Sequence, residues 1–315
     1  MKLEGIHHIT AITADAPGNV KFYTGVLGLR MVKRTVNQDE PNVYHLFYGD
    51  QHGSPGADLT FFEYPGAPRG VAGAGMVHRI IWRVSGAEAL EFWKERLDVD
   101  GTSAELSDGS LLFSDPEGLE HELVATASED EPLSADAPDI PREYALQGFD
   151  GVRAYTTDPV RSEQLLGDTL GFARGKGERW EVRGERRGSS YAYDAPPAEI
   201  NSGQGAGTVH HVAFAAQPDD LEAWRLRVVT AGAHPTPVID RFYFRSVYFR
   251  EPSGVLFEIA TIGPGFAVDE DAERLGERLS LPPKFEPLRE QLERTLKPLT
   301  YPPARRMASS DSPAG

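Results

Sequence analysis

Apolar residues recur in a strand-then-helix order at four places along the chain. Short apolar runs typical of buried strands open the four units; they span 6–12, 77–84, 151–156 and 209–215. After the first run, the apolar residues of 19–27 recur at three- and four-residue spacing, which predicts an amphipathic helix. Gly28 ends that helix, and Gly171 ends the matching helix of the third unit. Runs such as 111–113 and 119–124 predict further strands.

Each unit therefore repeats one strand, one helix and three strands. We place the units at 6–64, 77–126, 149–197 and 209–261. The second and fourth units close alike, because Asp115-Pro116-Glu117-Gly118 and Glu251-Pro252-Ser253-Gly254 each predict a turn before a last strand. The repeat predicts an α+β fold made of four copies of one βαβββ unit.

Composition shifts suggest where the repeated units are joined. Residues 127–142 are rich in Asp, Glu, Ser, Ala and Pro, which is typical of a linker. We therefore expect an N-terminal half (1–126), the linker (127–142), a C-terminal half (143–262), a C-terminal helical extension (263–300) and a disordered tail (301–315). Helical patches in the extension are predicted at 272–279 and 287–296.

Composition also excludes several classes of protein. The hydrophobic fraction of 40% is too high for a disordered chain. The formal net charge of -16 argues against a nucleic-acid-binding surface, which needs basic patches. No apolar run approaches the roughly 20 residues that span a bilayer, and no secretory signal is visible, so we expect a cytoplasmic protein. Because the chain has no cysteine, disulfides, zinc–thiolate sites and a thiol nucleophile are ruled out.

Two histidine pairs and one carboxylate stand out within the apolar strands. His7-His8 lies in the first strand, and His210-His211 lies in the equivalent strand of the fourth unit. The carboxylate is Glu258, near the end of that unit. Two His and one carboxylate are the ligands of mononuclear Fe(II) oxygenases, in which open positions remain for substrate and O₂. Because side chains alternate across a strand, either His of a pair could face the metal, and periodicity alone does not decide.

Several runs resemble the vicinal oxygen chelate superfamily, which includes glyoxalase I, fosfomycin resistance proteins and extradiol dioxygenases. The sharper likeness is to its hydroquinone and chlorohydroquinone 1,2-dioxygenase branch, and it extends over about residues 5–296. The runs that carry it are 7–12, 27–33, 44–50, 59–62 and 235–252. The resemblance implies four βαβββ units paired into cup-shaped sheets around one metal site.

The same resemblance implies which residues form the site. The metal ligands fall on His8, His211 and Glu258. Four further residues would lie around the substrate and one beside a ligand: Tyr248, Arg241, His7 and Thr10, then His210. The third unit has Asp150-Gly151 and the second His78-Arg79 at the ligand positions, which predicts one metal site and not two.

Structural alternatives remain for these residues. Tyr248 could be a core aromatic residue and Arg241 a surface ion-pair partner. Glu122, the repeat equivalent of Glu258, is expected to be an ordinary residue on a half-exposed strand face. Four other histidines are expected to be structural or superficial: His45, His52, His121 and His234.

We therefore expect an Fe(II)-dependent, extradiol-type dioxygenase that opens a hydroquinone- or catechol-type ring with O₂. Mn(II) is the alternative metal, because the ligand types suit both ions. The partners would be the small aromatic substrate and O₂, without nucleic acid or membrane, and a homo-oligomer is left open. One rival is a glyoxalase-like isomerase or lyase, which needs a second carboxylate, for which Glu63 is the candidate. The other is a non-catalytic binding protein of the bleomycin resistance kind.

Overall fold

Sixteen strands form two eight-stranded sheets in the computed structural model, which describes residues 1–198 and 201–301. In chain order the strands are β1 (Ile6–Thr13), β2 (Arg30–Val36), β3 (Tyr44–Gly49), β4 (Asp58–Glu63), β5 (Met76–Val84), β6 (Ala104–Ser107), β7 (Ser110–Ser114), β8 (Glu120–Ala125), β9 (Phe149–Tyr155), β10 (Ala173–Arg174), β11 (Arg179–Arg183), β12 (Gly188–Asp194), β13 (Val209–Ala216), β14 (Ile239–Asp240), β15 (Arg245–Arg250) and β16 (Leu256–Thr261). The predicted α+β class and repeated units are confirmed.

Each sheet combines two units that are distant in the sequence. The first sheet has the order β14-β15-β16-β13-β1-β4-β3-β2, so it joins the fourth unit to the first. The second has the order β10-β11-β12-β9-β5-β8-β7-β6, so it joins the third unit to the second. The central contacts are the antiparallel pairs β1–β13 and β5–β9. Both sheets thus take strands from each predicted half of the chain, and the division into halves stays a prediction.

Helical segments follow the opening strands, and several of them consist partly or wholly of 3₁₀ or π-helical turns. They are α1 (Ala16–Val20), continued by wider π-helical turns at Lys21–Val26, then α2 (Ala87–Asp100), α3 (Leu221–Thr230) and α4 (Arg289–Thr295). In the third unit, 3₁₀ and π-helical turns at Pro159–Ser162 and Gln164–Thr169 take the place of an α-helix. Trp93 and Trp224 are almost fully buried and anchor α2 and α3 in the core.

A β-bulge at the same place in every unit reshapes the central strands. Along β1 and β13, Ile6 pairs with Phe214 but His8 with Ala213, so His7 is an extra residue. Farther along the same two strands, His210 is the extra residue of β13. In the second sheet the extra residues are His78 in β5 and Asp150 in β9. The four units align at residues 7–8, 78–79, 150–151 and 210–211, and the first residue of each of these pairs is the bulged one.

The C-terminal extension lies against the first sheet. Lys33 on β2 is fully buried and donates hydrogen bonds to the Phe266 carbonyl oxygen, Asp269 and Glu270. The predicted helical patch at 272–279 is only a 3₁₀ turn at Ala272–Arg274, whereas α4 falls within the patch predicted at 287–296.

The predicted tail is described only in part. The tail predicted at 301–315 lies outside the described residues except for Tyr301, whose hydroxyl accepts a hydrogen bond from the Met31 amide. Within 1–198 and 201–301, no helix combines the length and the apolar character needed to cross a bilayer.

Candidate metal centre

The three predicted ligands meet on the concave face of the first sheet. They come from three neighbouring strands, β1, β13 and β16, where Ala213 on the middle strand pairs with both His8 and Glu258. Because the side chain of Ala213 is small, the flanking side chains can converge above it. His211 lies two residues earlier on β13 and therefore faces the same side.

The ligand atoms are spaced as the ligands of one metal ion would be. His8 Nε2 and His211 Nε2 are 3.3 Å apart, and Glu258 Oε2 lies 3.2 Å and 2.9 Å from them. Metal–ligand bonds of about 2.1 Å would separate neighbouring ligand atoms by about 3.0 Å at right angles and about 3.4 Å at tetrahedral angles. Within the described residues, this is the one group of three or more such side chains close enough to share an ion.

The chemistry of these atoms also fits a bound cation. All three residues are buried, and Glu258 is fully so. Glu258 Oε2 has no hydrogen-bond partner of good geometry despite its short distances to the two imidazoles. Burial raises the pKa of such a carboxyl, but the neighbouring His8 and His211 hold the pKa of Glu258 well below its usual range. A buried, ionised carboxylate facing two imidazole nitrogens is what a divalent metal would neutralise.

Each bulged histidine contacts the Nδ1 edge of the ligand ring that follows it in the chain. His7 Nδ1 lies 2.9 Å from His8 Nδ1, and His210 Nδ1 lies 2.8 Å from His211 Nδ1. A histidine that binds a metal through Nε2 carries its proton on Nδ1, so with a metal in place His7 and His210 would accept these hydrogen bonds. Burial lowers the pKa of His7 to about 3 and of His210 to about 4, which keeps both rings neutral.

A cavity of about 420 Å³ opens from the ligand atoms. Its walls are largely aromatic: His45, Phe47, Phe62, Tyr64, Tyr243, Phe244 and Tyr248. The cavity is therefore large enough for a single aromatic ring and polar at the end that holds the ligands.

Tyr248 and Arg241 lie together on one wall of this cavity. Arg241 Nε donates to the Tyr248 hydroxyl at 3.3 Å, and the guanidinium lies 5.4 Å from the centroid of the tyrosine ring. The terminal nitrogens of Arg241 bind Asp39 at 3.0 and 2.9 Å. Asp39 was not predicted, because it comes from the loop after β2, 202 residues away.

Thr10 faces the cavity within a chain of polar groups. Its hydroxyl lies 2.8 Å from the hydroxyl of Thr60, which lies 2.9 Å from His45 Nε2. The sequence predicts a structural or superficial position for His45, whereas its ring lines the cavity. Besides Asp39 and His45, the sequence prediction also missed Ser246 on β15, whose hydroxyl donates to Glu258 Oε1.

The remaining candidates lie away from the ligands. Glu63 is buried rather than exposed, and its carboxylate accepts a hydrogen bond from the Ala16 amide at the start of α1, on the helix side of the sheet. At the repeat-equivalent place in the second sheet, Arg79 pairs with Glu122 at 3.3 Å and Gly151 offers no side chain. His121 is fully buried between Trp82 and Tyr23, so its position is structural and not superficial.

The sequence is similar to known proteins over most of its length. The model of the glyoxalase/bleomycin resistance protein/dioxygenase superfamily matches residues 5–123 and 148–259. A Bacillus subtilis protein named ring-cleaving dioxygenase MhqA is 40% identical over 95% of this chain and 100% of its own length. The chlorohydroquinone/hydroquinone 1,2-dioxygenase of Sphingobium indicum is 31% identical over 94% of this chain and 96% of its own.

Solved structures give the same picture of the fold. A Bacillus subtilis protein named as a dioxygenase has 38% identity and a TM-score of 0.88, covering 95% of this chain and 98% of its own. Glyoxalase I from Zea mays has 16% identity and a TM-score of 0.57, covering 82% of this chain and 92% of its own, and shares the fold alone.

Proposed function

This chain belongs to the glyoxalase/bleomycin resistance protein/dioxygenase superfamily, as its sequence predicted, and from that we propose an Fe(II)-dependent ring-cleaving dioxygenase acting on a hydroquinone- or catechol-type ring. The observation that carries the proposal is the buried His8, His211 and Glu258 set at the polar end of an aromatic cavity. Fe(II) suits these ligands, with Mn(II) as the alternative. The cytoplasmic location stays a prediction.

The metal would be held by His8 Nε2, His211 Nε2 and Glu258 Oε2. When bound, it would bring a phenolic oxygen and O₂ into one coordination sphere and couple them electronically. His7 and His210 fix the orientation and tautomer of the two ligand imidazoles through their Nδ1 atoms. Ser246 holds the remaining carboxylate oxygen of Glu258.

Other residues would bind the substrate. The Tyr248 hydroxyl accepts a hydrogen bond from Arg241, so its own proton is free to be donated to a substrate oxygen. Burial and the nearby Glu258 raise the pKa of Tyr248, which keeps that proton in place. Arg241 uses three of its five N–H groups on Tyr248 and Asp39, which leaves two for negative charge on the substrate. Thr10 contributes a hydroxyl to the polar chain along the cavity wall.

The position of Glu63 argues against the isomerase rival. That chemistry needs a second carboxylate at the metal to move a proton, and Glu63 instead caps α1 on the other face of the sheet. The binding-protein rival gains no support from the intact ligand set, because a site that only encloses an aromatic compound needs no metal ligands.

Oxygen uptake by protein loaded anaerobically with Fe(II) tests the proposal. We expect uptake with a panel of hydroquinones and catechols, together with loss of the aromatic ultraviolet absorption, which reports ring opening. Glu258→Ala should lose iron and turnover, whereas the matched variant Glu122→Ala on the second sheet should keep both.

Two results would overturn the proposal. One is full turnover in Glu258→Ala. The other is no uptake by protein shown to hold one Fe(II) per chain. Turnover of methylglyoxal with a thiol by the Ni(II), Co(II) or Zn(II) form would then favour the isomerase, and tight binding of an aromatic compound without metal would favour the binding protein.

A further inference from the structure

His45 is held in one orientation on the cavity wall. It lies on β3, and its ring is packed between Phe47 and Phe62, with ring centroids 4.0 and 4.4 Å away. Its Nε2 is fixed by the Thr60 hydroxyl at 2.9 Å, and Thr60 is fixed in turn by Thr10 at 2.8 Å. Two aromatic neighbours and a hydrogen bond leave the ring little freedom, so its second nitrogen has a set direction.

That second nitrogen, Nδ1, has no hydrogen-bond partner among the described residues, although the ring lines the cavity. His45 is half-buried and lines the cavity, and its Nδ1 is not shut off from solvent. A ligand in the cavity can therefore reach this nitrogen. A polar atom on a rigid ring, open to a cavity and unpaired within the protein, is a ready site for a ligand's hydrogen bond.

The polar chain lets this nitrogen donate or accept. If the Thr60 hydroxyl donates to Nε2, the proton lies on Nδ1, which then donates into the cavity. If Nε2 donates to Thr60, Nδ1 accepts instead, and the hydroxyls of Thr60 and Thr10 rotate to follow. A hydroxyl group, which both donates and accepts, is the ligand group best matched to such an atom.

The position of His45 separates it from the metal ligands. β4 lies between β3 and β1, so two strand spacings, about 10 Å along the sheet before curvature, separate His45 from the strand that carries His8. None of the hydrogen bonds of His45 reaches His8, His211 or Glu258. A substrate oxygen that meets His45 is therefore a different one from the oxygen that meets the metal.

We propose that His45 Nδ1 binds the substrate hydroxyl remote from the metal, which makes His45 a specificity-determining residue, positioned by Thr60 and Thr10. The inference rests on the proposed function, because it takes the substrate to be a dihydroxylated ring bound by one oxygen at the ligand set. It assigns the remote hydroxyl to a residue on β3. Arg241 and Tyr248, by contrast, lie in the segment between β14 and β15 and on β15.

Ligand binding to the Zn(II)-loaded protein tests this without turnover. Calorimetric titration would compare hydroquinone with phenol, which lacks the second hydroxyl. We expect the wild-type protein to favour hydroquinone by about five- to tenfold, the value of one hydrogen bond in a cavity. His45→Phe should keep the aromatic packing and the affinity for phenol but lose the preference. Thr60→Val should reduce the preference, because Nε2 loses its fixed partner.

His45→Gln and His234→Gln complete the set. The glutamine at 45 keeps a hydrogen-bonding group and should restore part of the preference, while the exposed His234 should change nothing. Equal preference in the wild-type protein and in His45→Phe overturns the inference, as does a wild-type protein with no preference. Either result leaves the oxygen-uptake test of ring cleavage unaffected, so the two proposals fail separately.

Discussion

Ser246 determines which carboxylate oxygen of Glu258 faces the two imidazoles. The Ser246 hydroxyl is fully buried and donates to Oε1, so Oε2 is the oxygen that faces the two imidazoles. Groups that orient metal ligands typically contribute 10- to 100-fold to metal affinity. We therefore expect Ser246→Ala to weaken Fe(II) or Zn(II) binding by about 10- to 100-fold while the three ligands stay in place. Anaerobic titration against a chelating indicator measures this.

A matched control exists elsewhere in the chain. Ser162 and Glu251 form a second buried serine–glutamate pair that lies away from the metal ligands. Ser162→Ala should reduce stability but leave metal affinity unchanged. Equal metal affinity in Ser246→Ala and the wild-type protein would show that Glu258 is oriented without the serine.

The candidate metal ligands and the histidines beside them could be predicted from the sequence, but the other supporting residues could not. His8, His211 and Glu258 stand in repeated apolar strands whose likeness to a known branch picks them out. Ser246 and His45 lie in runs that share this likeness, but the sequence does not indicate their roles, because a serine or histidine within a strand is common and its role depends on which strand lies beside it. Asp39 reaches Arg241 only through the loop after β2, which local periodicity does not describe.

Lys33 fastens the C-terminal extension to β2. Its ammonium group is buried and bonded to Asp269 and Glu270, and Asp269 also accepts a hydrogen bond from Tyr243, which lines the cavity. Removing one member of a buried ion pair typically costs 3–5 kcal/mol, because the other charge is left unpaired. We expect Lys33→Met to lower the free energy of unfolding by about 3 kcal/mol and to speed proteolysis within 263–301.

Denaturant unfolding and limited proteolysis measure these two effects. Lys94→Met is the control, since Lys94 pairs with Asp98 on the partly exposed surface of α2 and should contribute at most about 0.5 kcal/mol. If both variants lost the same unfolding free energy, the buried Lys33 ion pairs would contribute no more to stability than the partly exposed Lys94 pair.

The amino-acid sequence indicates the order of the four units but not how their strands pair. Apolar periods located the opening strands to within two residues: the run predicted at 151–156 is β9, Phe149–Tyr155. Nothing local specifies that β1 pairs with β13 across more than 200 residues, since that contact depends on long-range packing. The bulges are equally hidden, yet they bring His7 against His8 where strict alternation would separate them.

The second sheet repeats the geometry of the first without its ligands. Arg79 occupies the place of His211 and binds Glu122, so a guanidinium neutralises the carboxylate there. Gly151 occupies the place of His8, and a Cβ at that position would collide with the carbonyl oxygen of Ser190 on β12. We therefore expect one metal ion per chain, both in the wild-type protein and in Arg79→His, because no third ligand can be added at position 151.

Metal analysis after loading with excess Zn(II) and desalting measures the stoichiometry. A value near one per chain in both proteins is the expected result. A second equivalent in Arg79→His would show that two ligands on the second sheet are enough to hold an ion.

A buried chain of hydrogen bonds joins the two sheets. Trp82 Nε1 donates to His121 Nδ1 at 3.1 Å, which places the proton of His121 on Nε2. His121 Nε2 then donates to the Tyr23 hydroxyl at 3.0 Å, and Tyr23 donates to Asp115 at 2.9 Å. Burial lowers the pKa of His121 to about 3, so the ring stays neutral. Tyr23 follows β1 of the first sheet, whereas the other three residues belong to the second unit.

Asp115 makes this connection sensitive to pH. Burial raises its pKa from 3.8 to about 6, against the hydrogen bonds from the Leu119 amide and Tyr23 and beside the charge of Glu117. The folded protein therefore holds a proton between about pH 4 and pH 6 that the unfolded chain releases. The contribution of this group to the free energy of unfolding rises as pH falls through that window, by up to about 3 kcal/mol for a shift of about two units. Denaturant unfolding at pH 4.5 and 7 measures it: relative to Asp115→Asn, the wild-type protein should be more stable at the lower pH than at the higher. An identical pH dependence of the two proteins would mean that Asp115 titrates in the folded state as it does in the unfolded chain.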